Sequence, residues 1–359
     1  MKPPHAQHPS ARIADALLEA LYGRRGFASV FELEAQTHLS RRQIEEACLI
    51  LAQRGQRIES LPSQGMRLVR PAGLDSGLIE RGLGTARIGR HVICFDEVDS
   101  TNDVALDSAR QAGSDGTVVL AESQRKGRGR LGRQWTSPPR ANILMSVLLE
   151  DPAERLPHEC VTIAAGLAAA EGIEAATGVR CQLKWPNDLL IGPAKTGGIL
   201  VEMRPVAPGD GRAARRCICI GVGLNVNAAP PPGTVNRPVA CLAEQAGGEL
   251  ERIEIVRAIL GRLDFWMVAI AYAAGQMPAR DAGGSAGGAN AELPGSCLHR
   301  LHEAWRSRSS VVGQRMAILC DGVRHAGRVL DVSPLEGLIL CRDDGATVYL
   351  PARNSSVVD

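Results

Sequence analysis

Residues 126–135, KGRGRLGRQW, set Gly127, Gly129 and Gly132 among Arg128, Arg130 and Arg133. The glycines spell G-x-G-x-x-G, but a dinucleotide fingerprint must open a helix so that the pyrophosphate meets its N-terminus. Here the motif runs into QWTSPPRAN, where Pro138 and Pro139 forbid a helix. Arginines also stand where bare backbone would have to approach the phosphate. A P-loop would need Gly-Lys-Ser/Thr, and none follows. Two readings remain: a flexible basic surface loop, or a mobile anion clamp. In the clamp, the glycines supply left-handed backbone freedom and exposed N–H groups. The guanidinium forks would then grip phosphate or carboxylate.

The lysines sharpen the choice. Of 41 Lys and Arg residues only four are lysine: Lys2, Lys126, Lys184 and Lys195. A chain that uses Arg almost everywhere, yet keeps three lysines within one 70-residue span, has kept them for chemistry a planar fork cannot do. Lys184 precedes the turn of LKWPNDLLIG, and Lys195 precedes the glycines of KTGGILVE. An exposed lysine beside a plain β-turn is the bland alternative for Lys184. Upstream, DEVDSTNDVA offers Ser100, Thr101 and Asn102 at a helix start; one of these could be an N-cap, but three exceed what a cap needs. Downstream, an apolar strand ends in GVGLNVN, on Gly223 and Asn225.

Taken together, DSTN, Q-x-x-GRGRxGRxW, KWPND, K-x-x-GILVE and GxGxN, in that order over residues 95–227, resemble the bacterial biotin–protein ligases of the bifunctional ligase/repressor type. One departure is visible: Thr196 and Gly197 stand where that family has an aliphatic and then a small residue, which predicts a looser strand beneath the nucleotide. The resemblance implies a two-step reaction with ATP, biotin and Mg²⁺. The biotin carboxylate attacks the α-phosphate to give biotinyl-5′-AMP, and a lysine of the biotin carboxyl carrier protein then takes the biotinyl group. By the same resemblance, Ser100, Thr101, Asn102 and Gln124 hold the ureido ring, with Arg128, Gly129, Arg130 and Lys184 completing the biotin site. Lys184, Arg128 and Arg130 are the catalytic group. Arg130, Arg133, Trp135, Lys195 and Asn225 serve the nucleotide, with Trp135 stacked on adenine. The residues suit that chemistry, because two anions must meet and charge builds on the phosphoryl oxygens, so positioned cations are the main requirement. The Mg²⁺ ligands are not assigned. The loop would double as a lid that orders over a labile adenylate. A lipoate–protein ligase, a biotin-sensing regulator without catalysis, and a ligase whose N-terminal domain binds no operator are the alternatives.

The elements that must position these residues read as α+β. HVICF, TVVLAE and ILMSVLLE are predicted strands, with a helix from Thr101 to about Gln111. An Ala-rich helix follows near 157–177, then strands near CQLKW, GILVEM and CICIGVGL and a long helix over IEIVRAILGRLDFWMVAIAYA. The alternation predicts a mixed sheet, and by resemblance a central α/β domain of the class II synthetase-like, biotin–lipoate ligase type over residues 85–310. LHRLHEAW closes it as a helix, and the Gly/Ala-rich tract 278–295 reads as a solvated loop. MAILC, HAGRVLDV, GLILC and TVYLP then predict a small β-barrel over 311–359, SH3-like in the family.

Residues 1–72 read differently. After a Pro- and His-rich tail expected to be disordered, Ile13, Leu17, Leu18 and Leu21 recur at helical spacing. A second helix fits Val30–Thr37. Ser40 caps a third, with Ile44, Cys48 and Leu51 on one face and Gly55 as its stop. Two extended runs around Pro-Ser-Gln-Gly follow. Three helices and a hairpin describe a winged helix-turn-helix, or a small helical docking domain. In the first case Arg41, Arg42 and Gln43 would meet operator DNA, and the chain would dimerise when adenylate-bound; Glu45 and Glu46 on the same helix oppose phosphate. Gly and Ser enrichment over 72–84 predicts the junction.

Composition narrows the rest. The net charge of +2 confines any nucleic-acid contact to one domain, and 3% aromatics argue against a single-strand binder built on stacking. Ten cysteines show no C-x-x-C pair, the eight histidines no metal-ligand pair. The N-terminus lacks a signal-peptide run and no 18-residue apolar stretch occurs, so the expectation is a cytoplasmic protein with reduced thiols and no membrane contact.

Overall fold

A computed structural model describes residues 9–151, 153–209, 213–235, 237–273 and 294–358. The expected tail over 1–8 and most of the expected loop over 278–295 lie outside the described residues. The first helix, α1 (Pro9–Tyr22), buries Leu17, Leu18 and Leu21. Helix α2 (Val30–Thr37) starts from Ser29, whose hydroxyl accepts the Glu32 N–H at 3.2 Å while the Glu32 carboxylate accepts the Ser29 N–H at 2.8 Å. That reciprocal cap satisfies two otherwise orphaned donors. Helix α3 (Arg41–Gln53) follows Ser40 as predicted and stops at Gly55, which adopts φ +79°. Ile44, Ala47 and Leu51 carry its buried face, whereas Ile13 and Cys48, expected in these stripes, are only half-buried. Strands β1 (Ile58–Leu61) and β2 (Gly65–Leu68) form the expected hairpin, and Ala28 exchanges two backbone bonds of 2.8 Å with Met66.

The predicted junction is a packed seam. A short helix, α4 (Ser76–Glu80), buries Leu78 and Ile79 there. Arg70 pairs with Glu251 at 2.8 Å, and the Leu74 N–H donates to Glu122 at 3.0 Å. Glu122 also receives both Nη atoms of Arg252, at 2.5 and 3.0 Å, with both side chains almost fully buried.

The central unit runs β3 (His91–Val98), α5 (Thr101–Ser108), β4 (Thr117–Gln124), β5 (Ile143–Glu150), α6 (His158–Thr177), β6 (Gln182–Lys184), β7 (Asp188–Ile191), β8 (Ala194–Val206), β9 (Arg215–Leu224), α7 (Leu242–Ala246), α8 (Arg252–Ala273) and α9 (Pro294–Arg306). Its seven strands lie in the order β3-β4-β5-β9-β8-β7-β6. Only β3 and β4 pair in parallel, so the sheet is mixed as expected. Strand β7 and helix α7 escaped the sequence reading because four or five residues carry too little periodicity. Helix α5 ends before Gln111 because Ala109, Arg110 and Gln111 bond three residues back, which tightens its last turn. Helices α6 and α8 cross closely at Gly172, where a Cβ would lie 2.6 Å from the Ile259 nitrogen. Contrary to the expectation that no apolar stretch reaches 18 residues, an 18-residue window of the 20-residue α6 has a mean hydropathy of 1.3; the helix is buried against α8 and the sheet.

Five antiparallel strands end the chain: β10 (Arg315–Cys320), β11 (Val323–Ser333), β12 (Gly337–Arg342), β13 (Thr347–Leu350) and β14 (Ser355–Val358), ordered β13-β12-β11-β10-β14. Strand β14 was not anticipated; a 3-10 turn over Ala352–Asn354 leads into it. The connector before this sheet is laced to β6, with Leu183 donating to the Arg308 carbonyl at 2.8 Å and accepting from Ser310 at 2.9 Å. The terminal sheet is thereby anchored to the strand that carries Lys184.

Candidate active site

A cleft of about 420 Å³ opens over the ends of β4, β5, β8 and β9. Its floor is made of glycine because larger residues would fill it. A Cβ on Gly223 would meet the Trp135 ring at 2.6–3.0 Å, and one on Gly221 would meet the Asn102 amide oxygen at 2.5 Å. The indole therefore lies directly on strand backbone, with the Lys195 ammonium 5.4 Å from its centroid. Residues 127–135 fold into a small hairpin over this floor. Gly129 donates to the Arg133 carbonyl at 2.6 Å and Trp135 to the Gly127 carbonyl at 2.9 Å. Leu131 at its tip has φ +54° and is exposed.

Cations line the phosphate-sized part of the cleft. Lys184 ends β6, directly across the strand pair from Asp188, and faces the cleft together with Lys195, Arg128, Arg130 and Arg133. Lys195 is paired with Asp188, which also holds Arg237 at 3.0 Å. Burial pulls the Lys195 pKa down, Asp188 opposes that, and Arg237 and Arg133 add to it. Arg128 bridges Asp103 and Glu202, each at 2.8 Å. Arg130 is turned toward the terminal sheet: it donates to the Ala352 carbonyl, to the Ser355 carbonyl at 2.8 Å and to Asn187 Oδ1 at 3.3 Å. Burial lowers its pKa to about 10, so it stays charged at neutral pH. Two residues of β14, Ser356 and Val357, complete this wall.

The other end of the cleft is polar and uncharged. Ser100, Thr101 and Asn102 begin α5 and are all buried, with Gln124 beside them on β4. Gln124 Oε1 accepts the Thr101 N–H at 2.7 Å and its hydroxyl at 3.0 Å. The Ser146 hydroxyl, fully buried on β5, lies 2.8 Å from Thr101 Oγ1 and 2.5 Å from Asn102 Oδ1, and Asn102 Nδ2 donates to Glu202 at 2.7 Å. One end can thus fit a small polar ring while the other meets anions.

Eleven of the residues given binding or catalytic roles from the sequence line this one cleft: Ser100, Thr101, Asn102, Gln124, Arg128, Gly129, Arg130, Arg133, Trp135, Lys184 and Lys195. Asn225 does not. It is buried behind β8, donating its backbone N–H to the Thr196 carbonyl at 2.8 Å and its amide to Ala240 at 3.3 Å. At Thr196–Gly197, where the sequence predicts a looser strand, the β7–β8 ladder is interrupted by a bulge: Thr196 is its fully buried extra residue, opposite Leu189 and Leu190, and a Cβ on Gly197 would touch Leu224 at 3.0 Å. Arg41, Arg42 and Gln43 stand apart, exposed on the first turn of α3. There Arg41 pairs with Glu45 at 3.4 Å, and the Gln43 amide oxygen accepts the Ser40 N–H at 2.9 Å.

Sequence reasoning passed over Ser146, Glu202, Asp188 and Arg237. A serine inside ILMSVLLE, an eight-residue run otherwise apolar up to its last residue, was a readable signal; Arg237 carried none. It also passed over His299, His302 and Glu303 on α9, whose ligand atoms lie within 4.8 Å of one another, although His302 already bonds Asp331 at 3.0 Å.

Residues 94–225 match the model of the Biotin/lipoate A/B protein ligase family. The bifunctional ligase/repressor BirA of Bacillus subtilis is 35% identical over 215 residues, 58% of this chain and 64% of that protein. The chain thus spans somewhat less than two thirds of the Bacillus relative. The Escherichia coli protein of the same name is 30% identical over 249 residues, 68% of this chain and 74% of its own length. A solved biotin protein ligase from Aquifex aeolicus, in complex with biotin and ATP, shares the fold with a TM-score of 0.58 at 24% identity, covering 75% of this chain and 99% of its own. The chain belongs to the biotin/lipoate A/B protein ligase family and groups within it with the biotin–protein ligases.

Proposed function

We propose that the protein is an ATP-dependent biotin–protein ligase. The observation that carries this reading is that a neutral, hydrogen-bonded pocket and a cluster of cations share one cleft, with Lys184 on its wall. In the first step a biotin carboxylate oxygen attacks the α-phosphorus of ATP; the new P–O bond forms as the bond to pyrophosphate breaks. Lys184 acts as a point charge between carboxylate and phosphate, and Arg128, Arg130 and Arg133 hold the phosphate side. Ser100, Thr101, Asn102 and Gln124 orient the ureido ring, and Trp135 stacks on adenine beside Lys195. In the second step the amine of the acceptor lysine on a biotin carboxyl carrier protein attacks the acyl carbon. AMP leaves, and the amine loses its proton to give the amide.

Among the described residues that line the cleft, Asp188 is the one carboxylate, and Lys195 and Arg237 already neutralise it. The described lining residues therefore offer no dedicated Mg²⁺ cage, and the ion would arrive on the nucleotide's phosphates. Arg130 must leave the Ala352 and Ser355 carbonyls to reach a phosphate, so the terminal sheet serves as the resting place of the lid.

In the same reading residues 1–72 are a winged helix-turn-helix, 85–310 the ligase domain and 311–359 an SH3-like barrel, in a cytoplasmic protein. Three helices with a hairpin, and a four-stranded meander (β10–β13) whose first strand also pairs with β14, support the two outer assignments. The exposed first turn of α3 would enter operator DNA in a dimer formed with adenylate bound. Gln43 would have to give up its cap to read a base.

The test is to incubate the protein with ATP, Mg²⁺, biotin and a carrier domain and to probe the carrier with streptavidin. Labelling that needs all components is expected. Transfer of lipoate in place of biotin, or no transfer, would overturn the reading. A mobility shift on DNA upstream of biotin-synthesis genes, strengthened by adenylate and lost in Arg42→Ala, tests the repressor role.

A further inference from the structure

Beneath the polar end of the cleft a single hydrogen-bond chain runs Glu202–Asn102–Ser146–Thr101–Gln124. The sense of its bonds is set from both ends. A carboxylate only accepts, so Asn102 must turn its amide nitrogen to Glu202 (2.7 Å) and its oxygen to Ser146 (2.5 Å). A backbone N–H only donates, so Gln124 must turn its oxygen to Thr101 (2.7 Å) and leave its nitrogen for other partners. Ser146 has one proton, and Asn102 takes it; the single Thr101 hydroxyl proton is then left for either Ser146 Oγ or Gln124 Oε1. Asn102, Thr101 and Gln124 line the cleft, whereas Ser146 and Glu202 do not.

This arrangement answers a problem inherent in recognising a ring with amides. A side-chain amide rotated by 180° has nearly the same shape but exchanged donor and acceptor. Left free, Asn102 would fit a ligand's acceptor or its donor almost equally well. We propose that Ser146 and Glu202 are specificity-determining positioning residues. They lock the Asn102 amide in one orientation, so that the pocket accepts a cyclic urea, with a carbonyl oxygen, and rejects its cyclic guanidine analogue. The inference rests on the biotin-ligase reading of the cleft. Glu202 has a second load, since the oxygen that holds Asn102 also holds Arg128 at 2.8 Å. Among the described residues Ser146 hydrogen-bonds no charged group, so it is the cleaner probe.

The experiment measures calorimetric affinities of the full-length protein for biotin, for 2-iminobiotin and for ATP, with melting temperatures alongside. Wild type is compared with Ser146→Ala and Glu202→Gln, the second of which keeps shape but can present either amide atom. In Ser146→Ala, biotin should bind about tenfold more weakly and the preference for biotin over 2-iminobiotin should narrow by about tenfold, with ATP affinity unchanged. Glu202→Gln should narrow the same preference and covers the case in which Ser146→Ala fails to fold. A fall of equal factor for both ligands, leaving their ratio at the wild-type value, would mean that Ser146 only packs and would overturn the proposal. A wild-type protein that binds biotin but does not prefer it over 2-iminobiotin would also overturn it. A wild-type protein that binds neither ring would overturn the ligase reading itself, a result readily told apart from the other two.

Discussion

The indole of Trp135 rests on Gly223 so closely that one methyl group there is a usable probe of the nucleotide site. In Gly223→Ala the new Cβ would stand 2.6, 2.9 and 3.0 Å from three ring atoms, against the 3.5–4.0 Å of ordinary carbon contact. Strand β9 cannot yield, because β5 and β8 pair with it on either side. The Trp135 backbone is held as well, by its bond to Gly127. The ring itself must therefore pivot by roughly 1 Å, out of the position above Lys195. Overpacking of this kind costs about 1–3 kcal/mol, equivalent to about 5- to 150-fold in affinity. Biotin alone, bound at the far end, should be affected much less than ATP. The assay is calorimetric ATP affinity in a double-mutant cycle with Trp135→Ala. Gly223→Ala should be costly by itself and nearly neutral once Trp135 is alanine. A penalty of the same size in both backgrounds, or none in either, would refute the stacking argument.

Three further outcomes follow from the site. Lys184→Ala should reduce ATP–pyrophosphate exchange by on the order of 10²–10³ without loss of fold, and Lys184→Arg should be severely impaired as well because the wider fork cannot occupy a point-charge position; exchange at the wild-type rate in either variant defeats the assignment. Arg130→Gly removes the guanidinium with which the closed lid would grip the phosphate, so adenylate should escape and label bystander proteins; a variant that is slow but labels only the carrier argues against a lid. For pH, burial holds His158 below its ordinary value near 6.5, with Glu159 and the Val201 carbonyl opposing and Arg130 and Arg353 adding to the shift. As pH falls through about 6.5 the unfolded chain takes up a proton that the folded state refuses, so stability declines until the folded ring titrates. His158→Gln should flatten the melting-temperature profile between about pH 7 and 5, and parallel profiles for the two proteins would exclude this cause.

The sequence was most legible where physics acts locally. Ser40 and Gly55 bracket α3 because capping and left-handed termination need only a few neighbouring residues. The period-two and 3.6-residue apolar patterns placed most of the longer strands and helices, and the order of the motifs anticipated eleven lining residues of the cleft. It was least legible where a residue's role depends on what another element brings beside it. Ser146 looked like an interruption of an apolar strand until α5 delivered Thr101 and Asn102 to its hydroxyl. Arg237 and β14 reach the cleft only through the tertiary fold, and Asn225, adjacent in sequence to the floor glycines, is carried behind the wall by its bonds to Thr196 and Ala240. The Gly and Ser residues marked the junction but not its packing: Glu122, Arg252 and Glu251 close on it from elsewhere along the chain. A sequence declares its capping, turn and burial preferences residue by residue. Which carboxylate meets which arginine across such separations is decided only when one sheet and two helices share a single core.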